Sequence, residues 1–171
     1  MDFFEVVKKR HSVRAFKDKE IEKEKLEKLL YAANSAPSAG NLQAYQIFLV
    51  KKPTHKIALS NAAYGQDFIA QASVSLIFCA DPLRSSRKYG KRGSELYSIQ
   101  DATISATCVH LAAVDLELGS VIVGAFDEDA VSKILNLPDT LNPIIILPVG
   151  YPNEEPEITP RRKINDLVKE V

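Results

Sequence analysis

The sequence has few of the residues that build metal centres and disulfide frameworks. Its 171 residues include two cysteines and three histidines. Cys79 and Cys108 do not form a CxxC pair, so we expect two buried, reduced thiols. His11, His55 and His110 share no metal-ligand spacing with each other or with the cysteines. This pattern argues against a structural or catalytic metal.

The common phosphate-binding and nucleophile motifs are also missing. No GxGxxG follows an apolar run, so a dinucleotide bound in the Rossmann manner has no support. The chain lacks a GxxxxGK[ST] phosphate loop and a GxSxG nucleophile elbow. A phosphate-bearing ligand would therefore be held by side chains and scattered loops.

Neither the charge nor the hydropathy of the chain indicates a nucleic-acid or membrane partner. The 22 basic and 22 acidic residues cancel, and the basic segments lack the interleaved aromatics of a single-stranded nucleic-acid groove. The longest apolar-rich run, residues 143–149, is too short to span a bilayer. Residues 1–5 show no secretory signal pattern. We therefore expect a cytoplasmic protein without a nucleic-acid or membrane partner.

Three short segments are candidates for a ligand-binding site. Arg10-His11-Ser12-Val13-Arg14 sets two guanidinium groups around a hydroxyl, a donor set that suits an oxyanion such as phosphate. A second cationic cluster is Arg161-Arg162-Lys163. The third segment, residues 37–43, is polar and short in its side chains, and it stands where a helix ends.

Hydrophobic periodicity and turn signals indicate one domain with a mixed sheet covered by helices on both faces. We predict helices over 2–10, 21–35, 53–63 and 99–118, a helical turn at 67–69 and a helix beginning at 127; strands are predicted over 45–50, 74–80, 120–123 and 143–149. The helix at 99–118 is apolar on almost all sides and should be the buried core of the domain, with Gly119 as its stop.

Other segments allow both a structural and a functional interpretation. Residues 82–98 carry five cations and two glycines, which favours a solvated loop or lid over an anion-binding patch. His110 is better explained as a hydrogen-bonded core histidine than as a ligand or base. Pro152, Pro156 and Pro160 indicate an extended tail. Its apolar end, Ile164, Leu167 and Val168, needs a surface to cover it, and a partner subunit would supply one.

Five motifs in order resemble those of the nitroreductase family of FMN-dependent NAD(P)H oxidoreductases. The resemblance covers essentially the whole chain. Its motifs are R-H-S-V-R at 10–14, P-S-A-G-N-L-Q at 37–43, S-I-Q-D at 98–101 opening a long helix, V-I-V-G-A-F at 121–126, and T-P-R-R at 159–162.

The resemblance implies an α+β fold over residues 1–171 and an interlocked homodimer. FMN would lie at the subunit interface, and the C-terminal tail would reach the other subunit. The implied activity is hydride transfer from NADH or NADPH through flavin N5 to an electron-poor acceptor (a nitroaromatic, a quinone or oxygen) by a ping-pong mechanism. The alternative is a non-catalytic flavin-binding redox sensor or flavin carrier.

The resemblance also implies site roles. Arg10, Ser12 and Arg161 would contact the FMN phosphate, with Arg162 as a second contact at that end. His11 would lie near the ribityl chain. Arg14 would approach the pyrimidine edge, where a cation stabilises the reduced ring.

The remaining roles concern the flavin ring. Ser38, Asn41 and Gln43 would reach the ring from the partner subunit. Gly124 would bring a backbone N–H close to flavin N5, where a side chain would interfere.

The chain departs from the family pattern at two of these motifs. Ala44-Tyr45 stands where Pro-Trp is common, and Thr159-Pro160-Arg161 replaces the K-x-R element. The second change removes one phosphate cation unless Arg162 replaces it.

Overall fold

A four-stranded antiparallel sheet lies between two layers of helices in the computed structural model, which describes residues 1–155 and 159–171. Its strands are β1 (Tyr45–Val50), β2 (Val74–Ala80), β3 (Gly119–Ser120) and β4 (Asn142–Gly150), in the order β1-β2-β4-β3. The neighbouring strands pair antiparallel. A parallel bridge between Ser12 and Ser120 joins the N-terminal segment to β3. The α+β class is confirmed, and within the described residues the sheet is mixed only through this bridge.

The helices begin largely where local signals place them. They are α1 (Phe3–Lys9), α2 (Lys23–Asn34), α3 (Pro53–Ala62), α4 (Phe68–Gln71), α5 (Pro82–Arg92), α6 (Ser98–Asp115), α7 (Glu128–Leu135) and α8 (Ile164–Leu167). Asp2 accepts the Glu5 N–H at 3.0 Å and Asp127 accepts that of Ala130 at 2.9 Å. Both are side-chain N-caps, which satisfy amides that the first turn leaves free.

The core has two halves because the central strands are covered on both faces. All seven residues of β2 are buried. Leu76 and Phe78 face a cluster with α2 and α6, whereas Ile77 and Cys79 face a cluster with α3 and α7. Alternate side chains of a strand point to opposite faces, so an uninterrupted apolar run fits this position.

Residues 82–98 are helical, so the predicted loop is wrong. Asp81 accepts the Arg84 N–H at 2.9 Å and Pro82 occupies the first turn, which together start α5. Gly90 breaks the helix with φ 55°, and a π-helical turn over Gly93–Tyr97 leads into α6. The many charges and glycines suggested a loop, but Pro82 and the Asp81 cap start a helix here.

The end of α6 also differs from the prediction. The helix stops at Asp115, and Glu117 takes the left-handed conformation at φ 61°. Gly119 is therefore not the helix stop; it lies in β3. A Cβ on Gly119 would lie 2.8–2.9 Å from Val13 side-chain atoms, so close packing requires glycine there. The predicted strand over 120–123 is reduced to β3 and one bridge from Val123 to Ile146.

One face of α6 is open, contrary to the expected burial on almost all sides. Ile99 and Ile104 are 40% and 38% exposed, while Ala106, Val109 and Ala113 are buried. Cys79 is buried as predicted, but Cys108 is only half-buried. Burial raises the pKa of both thiols, that of Cys79 to about 12.

The C-terminal tail leaves the domain after β4. Apart from the short helix α8 and the bridge from Pro152 to Phe16, its described residues belong to no helix or strand, and Pro156 lies outside the described residues. Ile164, Leu167 and Val168 are exposed. The helices of the described residues include none with the length and hydrophobicity needed to cross a membrane.

Candidate functional site

The segment after α1 lies along the edge of the sheet. Ser12 bridges Ser120 in parallel, and the Val13 N–H donates to the Ser120 carbonyl at 3.1 Å. Further along, Phe16 bridges Pro152. Backbone hydrogen bonds therefore fix residues 10–16 against β3 and the segment that follows β4.

A cavity of about 630 Å³ opens between this segment and the C-terminal tail. Its lining combines the N-terminal motif with residues of the tail: Arg10, His11, Ser12, Arg14, Glu154, Glu155, Thr159 and Arg161. The structure thus brings together two cationic clusters that are about 150 residues apart in the sequence.

The cavity is cationic overall, because three guanidinium groups face two carboxylates. Glu154 accepts a hydrogen bond from the Arg14 N–H, which ties the tail to the N-terminal segment. Among the described residues, Arg10, Arg14 and Arg161 have no carboxylate within ion-pair distance. Guanidinium groups that keep their charge, beside a serine hydroxyl, fit a phosphate group.

Arg10 is held by a buried histidine. Its Nη1 lies 3.3 Å from His110 Nε2, and His110 Nδ1 lies 2.6 Å from Ser120 Oγ. Burial, and then the Arg10 charge, lowers the pKa of His110 to about 4. The ring is therefore neutral near pH 7. The expectation of a hydrogen-bonded core histidine is confirmed, with an unexpected partner.

A second polar segment, the loop over residues 38–43, has a constrained backbone. Gly40, Asn41 and Gln43 have φ values of 56°, 56° and 48°. The left-handed region is unfavourable for residues other than glycine, so surrounding contacts must hold the loop backbone in this conformation. The buried Asp101 carboxylate accepts the Ala39 N–H at 2.9 Å and the Ala44 N–H at 3.3 Å. It fixes the loop at both ends.

Helix α5 closes over the same loop. Arg84 Nε donates to the Leu42 carbonyl. The Tyr89 hydroxyl and Lys88 Nζ approach Gly40 so closely that an added Cβ would lie 2.4 and 2.7 Å from them. Two cations of α5, Arg84 and Lys88, thus lie next to the polar loop.

The structure divides the predicted site residues into groups. Arg10, His11, Ser12, Arg14 and Arg161 line the cationic cavity. The Arg162 guanidinium instead donates to the Asp166 carbonyl at 3.0 Å.

The other predicted residues do not line the cationic cavity. The Ser38 hydroxyl accepts the Gln43 N–H at 3.0 Å, and the Gln43 amide donates to the Asn34 carbonyl at 3.3 Å. Asn41 and Gly124 are exposed, and a Cβ on Gly124 would meet no protein atom within 4 Å.

Sequence reasoning missed three supporting residues: His110 as a partner of Arg10, Asp101 as the anchor of the loop, and Glu154 as the acceptor for Arg14. Asp101 carried the only visible signal, since an acidic residue in an otherwise apolar helix requires partners. The other two contacts join residues at least 100 positions apart. No local pattern reveals such pairs.

Comparison with known proteins gives consistent matches. The sequence model of the Nitroreductase family matches residues 7–66 and 55–151. An "NADPH-dependent oxidoreductase" of Staphylococcus epidermidis is 30% identical over 94% of this chain and 69% of its own length. An "FMN reductase (NADPH)" of Bacillus subtilis is 30% identical over 86% of this chain and 65% of its own length.

A solved structure also matches closely. The NADPH:FMN oxidoreductase from Vibrio harveyi, complexed with NAD+, superposes with a TM-score of 0.90 at 26% identity. The match covers 98% of this chain and 76% of that chain.

Proposed function

The chain belongs to the nitroreductase family, and we propose that it is an FMN-dependent oxidoreductase that takes electrons from NADH or NADPH. The observation that carries this proposal is the cationic cavity, where Arg10, Ser12 and Arg161 converge. Such a donor set suits the phosphate of FMN. The relatives named FMN reductase (NADPH) and NADPH:FMN oxidoreductase support the same cofactor and reductant.

The protein's part in this chemistry is to bind and orient. When bound, FMN supplies a ring that accepts hydride from NAD(P)H and passes it to an electron-poor small molecule, such as a nitroaromatic, a quinone or oxygen. Arg10, Ser12 and Arg161 would hold the phosphate end. Arg14, an exposed residue of the cavity lining, would place a positive charge near the ring's polar edge and favour its anionic reduced form.

We further propose that the site is shared in a homodimer. The polar loop over 38–43 does not line the cationic cavity of its own chain, so the two parts act together if a partner subunit brings its loop to the cavity. An apolar surface suits such a partner: Phe3, Phe4 and Val7 of α1 and Ile99 and Ile104 of α6 are exposed. The exposed tail residues Ile164, Leu167 and Val168 would be covered by the same partner.

The absorption spectrum of the purified protein tests the proposal directly. We expect flavin bands that bleach within seconds when NADH or NADPH is added without oxygen and return when a quinone is added. A protein that neither copurifies with FMN nor binds it on titration contradicts the proposal. Tight FMN binding without bleaching supports the sensor or carrier alternative instead.

Two substitutions test the assignment of the cationic residues. Arg10→Ala should weaken FMN binding by about tenfold or more, because it removes a charge-assisted contact to the phosphate. Arg14→Ala should mainly slow reduction of the bound flavin by NAD(P)H. Flavin titration and anaerobic stopped-flow reduction measure the two effects. An Arg10→Ala protein that retains normal FMN affinity overturns the phosphate assignment.

A further inference from the structure

The contact between Arg10 and His110 defines how the ring of His110 is protonated. A guanidinium group can only donate hydrogen bonds. Nε2 of His110, 3.3 Å from Arg10 Nη1, must therefore accept. The ring proton is then on Nδ1, which donates to Ser120 Oγ at 2.6 Å. This fixes one tautomer and one ring orientation.

One strand residue, Ser120, supports two of the three proposed phosphate contacts, Arg10 and Ser12. Ser120 receives the His110 N–H through its hydroxyl and the Val13 N–H through its carbonyl, and it bridges Ser12. Ser120 of β3 thus helps to position both the Arg10 side chain, through His110, and the Ser12 backbone. His110 is 5% exposed, so packing also holds the ring in place.

A neutral imidazole beside Arg10 acts differently from a carboxylate in that place. A carboxylate beside Arg10 would orient the guanidinium but would also cancel its charge and compete with an anionic ligand. The imidazole orients the group and leaves its positive charge available. Among the described residues, no carboxylate lies within ion-pair distance of Arg10.

We propose that His110 is the positioning residue of the phosphate subsite: its neutral ring aims the Arg10 guanidinium into the cationic cavity without neutralising it. The inference rests on the proposed FMN function. It assigns a ligand-binding task to a buried helix residue that itself does not line the cavity.

The test compares FMN with riboflavin, which has the same ring but no phosphate. Dissociation constants for both are measured on the flavin-free protein by quenching of flavin fluorescence. For His110→Phe, which keeps a planar ring but removes the acceptor, we expect FMN affinity to fall about tenfold. Riboflavin affinity should stay within about twofold of the wild type, because no phosphate contact is involved.

Three controls make the result specific. His110→Gln, which retains an acceptor, should recover part of the lost FMN affinity. If His110→Phe does not fold by circular dichroism, His110→Leu, which also lacks an acceptor, replaces it. In an Arg10→Ala background, His110→Phe should change FMN affinity by less than about twofold, because the oriented group is gone. His55→Phe, a half-buried histidine on α3, should leave both affinities unchanged.

The outcomes separate the inference from the function on which it rests. Equal losses for FMN and riboflavin in His110→Phe would show that the ring only packs, and unchanged FMN affinity would remove its role altogether. If the wild type binds FMN, either result overturns the inference alone. If the wild type binds neither flavin, the proposed function and the inference both fail.

Discussion

At the scale of single residues, the site depends on buried polar groups whose partners are all provided. His110 and Asp101 are 5% and 2% exposed, and each has two hydrogen-bond partners. A buried polar group costs free energy unless it is paired, so these contacts hold specific geometries. The cavity-lining residues Arg10, Ser12 and Arg14 are by contrast half-buried or exposed.

His110 should make the stability of the protein depend on pH. Its pKa is about 4 in the folded state and about 6.5 when unfolded, so the unfolded chain binds the extra proton between these values. The free energy of unfolding should therefore fall by about 3 kcal/mol as the pH drops from 6.5 to 4. Above pH 6.5 and below pH 4, titration of His110 should have little effect on the free energy of unfolding.

Urea unfolding of the wild type and of His110→Gln across this range measures the effect. Glutamine does not titrate, so the variant should lose this part of the pH dependence while other groups titrate as before. Identical slopes for the two proteins would contradict a depressed pKa at His110.

At the scale of elements, Gly119 and Gly124 have opposite surroundings. A Cβ on Gly119 would meet the Val13 side chain at 2.8–2.9 Å, whereas one on Gly124 would meet nothing within 4 Å. Gly119→Ala should lower the free energy of unfolding by about 1–3 kcal/mol, since the crowded contact forces β3 away from the Ser12 segment. Urea unfolding measures this loss, and FMN affinity should fall with it.

Gly124→Ala is the matched substitution. Its free energy of unfolding should stay within about 0.5 kcal/mol of the wild type, because the side chain enters open space. If the flavin ring uses that space, reduction by NAD(P)H should slow several-fold, as anaerobic stopped-flow would show. A variant with both normal stability and normal flavin reduction would remove Gly124 from the site.

The elements that the sequence predicts well are those with local causes. Tyr45–Val50 and Val74–Ala80 are strands as expected, because short apolar runs between turn signals fit a doubly covered sheet. The prediction failed at α5, whose Asp81-Pro82 start is followed by charges rather than an apolar stripe. It failed again at Glu117, because left-handed helix ends usually take glycine.

At the scale of the whole molecule, the order of the sequence motifs predicted most residues that line the cationic cavity, but not the buried residue that holds Arg10. Arg10, Ser12, Arg14 and Arg161 were predicted as ligand contacts and do line one cavity. That His110 would hold Arg10 could not be read from sequence, because the contact joins residues 100 positions apart. The shared site with a second subunit stays a prediction.

Disrupting the apolar surface of α1 and α6 tests the dimer. Ile104→Glu should give a monomer on sedimentation, since it places a charge on this surface, while the exposed position leaves the fold intact. FMN affinity should fall about tenfold or more, because the partner's loop would be absent. Ile57→Glu, an exposed isoleucine on α3, is the control and should alter neither property. A monomer that binds FMN normally would contradict a shared site.

The bridges from Ser12 to Ser120 and from Phe16 to Pro152 bear on the order of folding events. Contacts between residues so distant in sequence carry a large loop-closure entropy and form after local helices and hairpins. On the ribosome, residues 10–16 emerge early but have no docking edge until β3 and β4 have been synthesised. The cationic cavity is therefore completed late in folding, and FMN binding that uses Arg161 as proposed must wait until the chain has been synthesised at least to that residue.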